Sequence, residues 1–492
     1  MSALLSQLAS FAATDRATWR REVDRTLKGR SYESTLVRTT HEGLPLDPLY
    51  TRDDRPGGTE GAAPGAAPFT RGFPAAGSQR TPRLGWLRAV DIDHPDLSHA
   101  RQQALADLAG GAERLVVRVA SARHAMARPV DETRRAVATG RGGVWIDGIQ
   151  DLEALLQDIA WSMAPVSVVV SDGDASFAAQ CFADCAALRA RGGEGLGAQL
   201  DVLRLAWSAT DASTWLAPYL NVLVAEVDRA RDGACHAAAG RPLWISTAPL
   251  RLAGADMVQE VAAALGLFVA AVRALDGQVA PSAVLRLAEF RLAAGSDFFG
   301  EIAKLRAFRR ALGLVLDTLG LADHASAVHV TACTAEETLA NRDVYVNLLR
   351  TTAEATASVF GGADSVAIAP FDVRHDGGAA TGRRLARNLH SLLAEESHAG
   401  AVSDPAGGSF YIEHRTERLA EAAWRQFVAW EQVGGFVAAC ASGTVQAGVS
   451  SRWNSRLARL QSRRDPVLGV SVFPLPDEQP LTSAPFDGER FL

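Results

Sequence analysis

The chain has 492 residues, 48% of them hydrophobic and 22% charged, with a formal net charge of −6, a balance that suits two or three structural parts around a large buried core. No apolar run approaches the roughly 18 residues of a membrane span, and the few basic knots, such as Arg383 with Arg384, do not make a surface for a phosphate backbone. Membrane and nucleic-acid roles are therefore not expected, and the start MSALLSQLASFAATDRATW lacks the basic and apolar regions of a secretory signal, which leads to a cytoplasmic expectation.

In chain order, residues 1–83 read as an N-terminal helix followed by an extended arm. EGLPLDPLYTRDD is proline-punctuated without apolar periodicity, and DRPGGTEGAAPGAAPFTRGFPAAGSQRTPR is too rich in Gly, Pro and Ala for helix or strand. Such an arm must lie on a larger body or on a partner chain. From about residue 110, short β-branched runs alternate with helical stretches: LVVRVA (115–120), GVWIDGI (143–149), VSVVVS (166–171), LDVLRLA (200–206), PLWIST (242–247), VLRLAEF (284–290), AVHVTA (327–332) and SVAIAPF (365–371). Eight strands with helices between them predict a parallel sheet closed into a (β/α)8 TIM-type barrel over residues 84–400. NVLVAEV (221–227) fits the count better as the end of a helix. Residues 401–492 read as a helical extension, broken at Gly407 and Gly434, with the Pro-rich irregular tail FPLPDEQPLTSAPFDGERFL.

Five cysteines stand at 181, 185, 235, 333 and 440. Cys181 and Cys185 lie one helical turn apart with no His nearby to complete a zinc set, so they read as small core residues and no metal site is expected. In DFFGEIAKLRAFRRAL, Phe298, Ile302, Leu305 and Phe308 form the apolar stripe of a barrel helix, which leaves Lys304 and Arg309 for solvent or caps. The Gly pairs at 361–362 and 407–408 mark tight turns and lack the spacing and Lys of a phosphate loop.

Three segments, NRDVYVNLLRTTAEATASVFGGADSVAIAPFD (341–372), RRLARNLHSLLAEESHAGAVSDPAGGSFYIE (383–413) and DFFGEIAKLRAFRRAL (297–312), resemble the methylmalonyl-CoA mutase family of adenosylcobalamin-dependent acyl-CoA mutases. LPLDPLYTRDD and PFTRG (68–72) are similar to the arm of that family. The resemblance implies a barrel with a substrate channel along its axis and an arm that wraps a partner subunit. In catalytic members a Tyr-His pair follows a strand end and the His donates to the thioester; in ISTAPLRLAGA (245–255) the matching positions are Ala248 and Pro249. Pro has neither a side-chain donor nor an N–H. The stretch after PFTRG carries no Tyr, and Trp86 there reads as a core or interface anchor. Where catalytic members have His-Cys-Gln-Thr-Ser-Gly, HVTACTAE (329–336) keeps His329 and has Thr331 in place of the amide, whereas Glu354 matches a position that touches the adenosyl ribose.

A cobalamin-binding, Rossmann-like domain is not expected, because none of the 11 histidines has an Asp two residues before it, as the Asp-x-His-x-x-Gly signature requires. By resemblance, then, the chain is expected to be the small (beta), non-catalytic subunit of a heterodimeric isomerase that interconverts methylmalonyl-CoA and succinyl-CoA. No catalytic residue and no cofactor are assigned to it, Glu354 is a vestige of cofactor contact, and adenosylcobalamin belongs to a catalytic large (alpha) partner. The alternative is the acyl-CoA-binding barrel of a split mutase whose cobalamin sits on a separate subunit.

Overall fold

A computed structural model describes residues 14–57, 63–73, 85–123, 142–172, 174–231, 241–374 and 379–475. The first residues of the opening helix, much of the Gly/Pro-rich arm, Cys235 and most of the Pro-rich tail lie outside the described residues. The chain divides into two compact units, Met1–Asp54 and Arg55–Leu492. In the first, a helix over Arg16–Leu27 is capped by the Asp15 carboxylate, which accepts from Thr18 N at 2.7 Å. Arg20 lies 3.5 Å above the Tyr32 ring, and two-residue strands at Arg38–Thr39 and Pro45–Leu46 pair antiparallel.

Among its described residues the second unit holds nine strands: β1 (Leu87–Ile92), β2 (Arg114–Ser121), β3 (Val144–Ile146), β4 (Val166–Asp172), β5 (Leu196–Asp201), β6 (Leu243–Ser246), β7 (Ala288–Ala294), β8 (Val330–Thr334) and β9 (Ser365–Ala367). Eight of them close a barrel in the order β1-β2-β4-β5-β6-β7-β8-β9, every pair parallel, with β9 returning to β1 through Ser365↔Leu87 to Ala367↔Ala89. The fold is a (β/α)8 barrel with a helical C-terminal part. β3 is outside the eight: it pairs with Val119–Ser121 at the end of β2, beyond the reach of β1.

The strand count is eight, but its membership differs from expectation. GVWIDGI supplies the side strand β3, and the missing barrel strand is β1, LRAVDI, whose apolar pattern is broken by Arg88 and Asp91. LDVLRLA is mostly a helix over Val202–Ser208, and the strand precedes it as LGAQLD, whose Gly197 and Gln199 conceal it. VLRLAEF likewise opens as the end of a helix that starts at Pro281, before β7. NVLVAEV is helical, within Leu220–Arg231.

The helices that matter below are α1 (Leu97–Ala109), α2 (Ala175–Gly192), α3 (Ala248–Leu252), α4 (Met257–Ala274), α5 (Phe298–Thr318), α6 (Val346–Phe360), α7 (Ala380–Ser391), α8 (Phe410–Gln432), α9 (Phe436–Ala441) and α10 (Thr444–Gln461). Cys181 and Cys185 are both buried in α2. α4 starts on a capping box, with Gln259 N donating to Asp256 Oδ1 at 2.8 Å and Asp256 N donating to Gln259 Oε1 at 3.1 Å. It packs on β6 and β7 inside and on α8 and α9 outside. α5 is covered by α8 in the same way, so Lys304 and Arg309 do not reach solvent. Their cations find partners inside instead: Lys304 is paired with carboxylates, and Arg309 donates to the carbonyls of Gly361 and Gly362. Gly362, at φ +76°, makes the turn that presents those carbonyls.

Of the segment 63–73, Phe69 is buried and lies against Gly313 of α5, where an added Cβ would come within 2.9 Å of its ring. Arg71 Nε pairs with Asp404 at 3.0 Å.

Candidate functional site

Alternate residues of each strand point into the barrel, so the axis is filled by side chains in layers. The lowest layer, at the N-terminal ends of the strands, is polar and fully buried. Arg114 donates through both terminal nitrogens to Glu289, at 2.6 and 2.7 Å, and also to Thr331 Oγ1 at 3.2 Å and Ser167 Oγ at 3.0 Å. Thr331 Oγ1 donates to Glu289 at 2.7 Å, and Gln199 Nε2 donates to the other Glu289 oxygen at 2.9 Å. Burial alone would raise the Glu289 carboxyl, but the Arg114 guanidinium outweighs it and brings the pKa down to about 2.

Above this layer Val116, Val169 and Trp244 pack together, and the Arg291 guanidinium stands 5.2 Å from the Trp244 ring centroid. Arg291 holds Asp91 with both terminal nitrogens, and Arg118 reaches the same carboxylate at 3.5 Å. On the other side of the axis sit the small buried residues Ala89, Ala293, Cys333, Ala335 and Ala367, with Ala248 packed on them. Ala248 and Pro249 form the first turn of α3 just past β6, a place where Pro is structurally well suited. At this end of the barrel, where TIM-type barrels carry their chemistry, the turn thus offers a methyl group and a ring without a donor. A cavity of about 40 Å³ lies nearby, between Asp91, Asp107, Ala367, Pro370 and Arg383. That is room for a water or so, against the ~300 Å³ or more of a ligand pocket.

Beside α3 is a buried ionic network. Arg251, two residues after Pro249, approaches Glu301 at 3.2 Å, Glu337 at 3.4 Å and Glu260 at 3.6 Å. Lys304 Nζ pairs with Glu260 at 2.7 Å and Glu301 at 2.5 Å. Burial alone would lower the Lys304 pKa, but the two carboxylates outweigh it and hold it above the usual ammonium value. Gly295 leaves space for this: a Cβ there would meet Arg251 Nη2 at 2.8 Å. The network ties α3 to α4 and α5. Sequence reasoning missed it; the available signal was isolated charge, Glu260 and Lys304, inside strongly apolar helices.

Glu354, on α6, lies next to this network and is fully buried. One carboxylate oxygen accepts from Thr338 Oγ1 at 2.6 Å and the other from Ala335 N at 3.2 Å. Burial pushes its pKa well above the usual carboxylate range. The four singled-out positions therefore do not form one constellation. Ala248 and Pro249 are at the mouth, Thr331 is in the lowest layer at the opposite end, and Glu354, on a helix outside the strands, meets the mouth end only through its bond to Ala335 N, which packs in the cluster with Ala248. The inward residue of β8 nearest the mouth is Cys333. His329 precedes β8 and is buried, with Nδ1 4.0 Å from Asp364; burial lowers its pKa to about 4. Trp86 is buried among Val359, Val366 and Leu393, and its Nε1–H donates to His390 Nδ1 at 3.1 Å.

With this geometry in view, comparisons place the chain among known proteins. The family model described as methylmalonyl-CoA mutase matches residues 39–491. A methylmalonyl-CoA mutase small subunit from Streptomyces virginiae is 34% identical, covering 98% of this chain and 74% of that protein. The protein of the same description from Propionibacterium freudenreichii subsp. shermanii is 30% identical, covering 98% and 72%, and that from Porphyromonas gingivalis is 27% identical, covering 95% and 71%. The filled axis and the mouth turn without a donor depart from the channel and the donor expected of catalytic members, but the matches over nearly the whole length decide the assignment: the chain belongs to the methylmalonyl-CoA mutase family.

Proposed function

We propose that this chain is the small, non-catalytic subunit of a methylmalonyl-CoA mutase, a cytoplasmic complex that interconverts methylmalonyl-CoA and succinyl-CoA. Its role is to stabilise a large catalytic partner that carries adenosylcobalamin, and it contributes no catalytic residue and no cofactor ligand of its own. The observation that carries the reading is the mouth of the barrel. Acyl rearrangement needs a sealed cavity and a hydrogen-bond donor aimed at the thioester oxygen. Here the matching turn is Ala248 and Pro249, packed against small apolar residues, and the two buried guanidinium groups beside it are both neutralised, Arg291 by Asp91 and Arg251 by Glu301 and Glu337.

Glu354 argues the same way. Both of its oxygens accept hydrogen bonds from its own chain and the side chain is shut off from solvent, so it does not fit a contact to an adenosyl ribose. The small-subunit relatives from Streptomyces and Propionibacterium support the place of this chain in a two-chain complex.

The test is mutase turnover with methylmalonyl-CoA and adenosylcobalamin, using this chain, the large chain of the same source, and the two together. Turnover is expected only where the large chain is present, and Glu354→Gln in this chain is expected to leave the rate of the mixture unchanged. Turnover by this chain alone, or a tenfold loss in the mixture with the Glu354→Gln variant still folded, refutes the proposal.

A further inference from the structure

One face of the second unit exposes apolar side chains that the barrel does not use. Tyr345 is 74% exposed and Leu349 65% exposed one helical turn further on, at the start of α6. The segment after α10 folds against them: Arg350 Nη2 donates to Leu468 O at 2.6 Å, and a Cβ on Gly469 would meet Asp343 Cβ at 2.6 Å. This brings the exposed Leu468 and Val470 alongside Tyr345, with Phe473 (83% exposed) and Leu475 following. The Tyr345 ring is held in place by stacking on Phe371, with centroids 5.4 Å apart.

Area and charge decide what fits here. With ~150–250 Å² for an aromatic side chain and about half that for an aliphatic one, these six residues expose roughly 500 Å² of apolar surface. An interface of about 800 Å² a side that is about 60% apolar needs that amount. Next to these residues in the chain stand the exposed Arg342, Arg463 and Arg464, with Asp343 against Gly469 and Asp465 paired with Arg459, so the neighbouring charge is net basic. A second copy of this chain related by a two-fold axis would set one arginine rim against another, which disfavours self-association.

We infer that this face docks the large mutase chain through an apolar surface edged by carboxylates. The inference rests on the two-chain reading above and goes further by naming the surface. Tyr345 and Phe473 are the anchors, since exposed aromatic side chains at the centre of a patch carry most binding energy. The rim arginines set the rate and salt dependence of association.

The experiment measures binding of the full chain to the large chain by calorimetry, for wild type, Tyr345→Glu/Phe473→Glu and Arg463→Glu/Arg464→Glu, each checked for an unchanged melting curve. The aromatic variant is expected to bind about 30-fold more weakly or worse, and the arginine variant to associate more slowly and with less dependence on salt. If wild type binds and the aromatic variant binds equally well, the docking face is wrong while the two-chain reading stands. If wild type does not bind, both fail. If the aromatic variant instead alters self-association of the isolated chain, the occupant is a second copy and the inference is overturned. It is overturned also if Phe486→Glu/Phe491→Glu raises the binding of a hydrophobic dye to the isolated chain severalfold, because the chain's own tail would then be the occupant.

Discussion

Replacing Glu289 by Gln probes the lowest layer of the barrel, where four hydrogen bonds converge on one carboxylate that solvent does not reach. The variant leaves Arg114 as a buried cation without a counter-charge, a change worth ~3–5 kcal/mol. The titration of the group gives a second route to the magnitude. A carboxyl shifted from 4.5 to about 2 is linked to ~3 kcal/mol of stability. Because the folded-state pKa is depressed, that contribution is complete above the unfolded value and disappears as pH falls toward the folded one. Urea unfolding followed by tryptophan fluorescence should therefore show Glu289→Gln less stable by ~3–5 kcal/mol at neutral pH, with the gap closing between about pH 5 and about pH 2. The double variant Arg114→Met/Glu289→Met removes both charges and should recover at least ~2 kcal/mol of the loss. A single-variant effect below ~1 kcal/mol, or a gap that does not change with pH, refutes the view that this pair organises the barrel floor.

Glu354 carries the opposite sign. Its folded-state pKa is raised, so between the unfolded value and the folded one the native state holds a proton that the unfolded chain has lost, and stability falls as pH rises. Glu354→Gln should therefore gain on wild type as the pH is raised from about 4.5, and a pH-independent difference in urea midpoint would count against this. His329, with its pKa lowered to about 4, stays neutral in the fold and must charge on unfolding. Wild type should lose stability as pH drops from about 6.5 toward 4, and His329→Gln should flatten that slope by ~3 kcal/mol. Gly266 in α4 faces Phe436, whose Cβ would lie 2.8 Å from an added methyl group. Ala there gains up to ~1 kcal/mol of helix propensity but loses ~1–3 kcal/mol to overpacking, so Gly266→Ala should lower the melting temperature, and a rise would show that α9 can shift to make room.

How much of this could be read beforehand depended on which way the informative side chains point. LVVRVA and VSVVVS were legible because their outward faces are continuous Val and Leu, buried under helices. LRAVDI was not, since Asp91 points inward to Arg291 and Arg88 pairs with Glu113; both partners are remote in sequence. At β5 an inward Gly and Gln weakened the strand, and the neighbouring apolar run that drew attention is the buried face of a helix. Ala248 and Pro249 were legible as a pair through a motif, and the structure adds that the turn they occupy is fastened by Arg251. That fastening had no local signature: Glu260, Glu301 and Glu337 come from three separate elements, and only packing brings them together. Lys304 and Arg309 read as solvent-facing because the sequence of α5 shows a single apolar stripe, whereas its second cover, α8, begins about a hundred residues later.

The covering of α4 has a temporal consequence. Contrary to the expectation that no apolar run approaches a membrane span, Met257–Ala274 is long and apolar enough to pass for a membrane helix by length and composition, yet most of it is buried within the fold. Its outer cover is α8 and α9, and α8 starts at Phe410, 136 residues after Ala274. At ~5–20 residues per second of synthesis, the ribosome needs roughly 7–27 s to deliver that cover. For that interval an apolar rod stands uncovered on the nascent barrel, so slowing translation between Ala274 and Phe410 should lengthen the period in which the chain is open to chaperones and to aggregation.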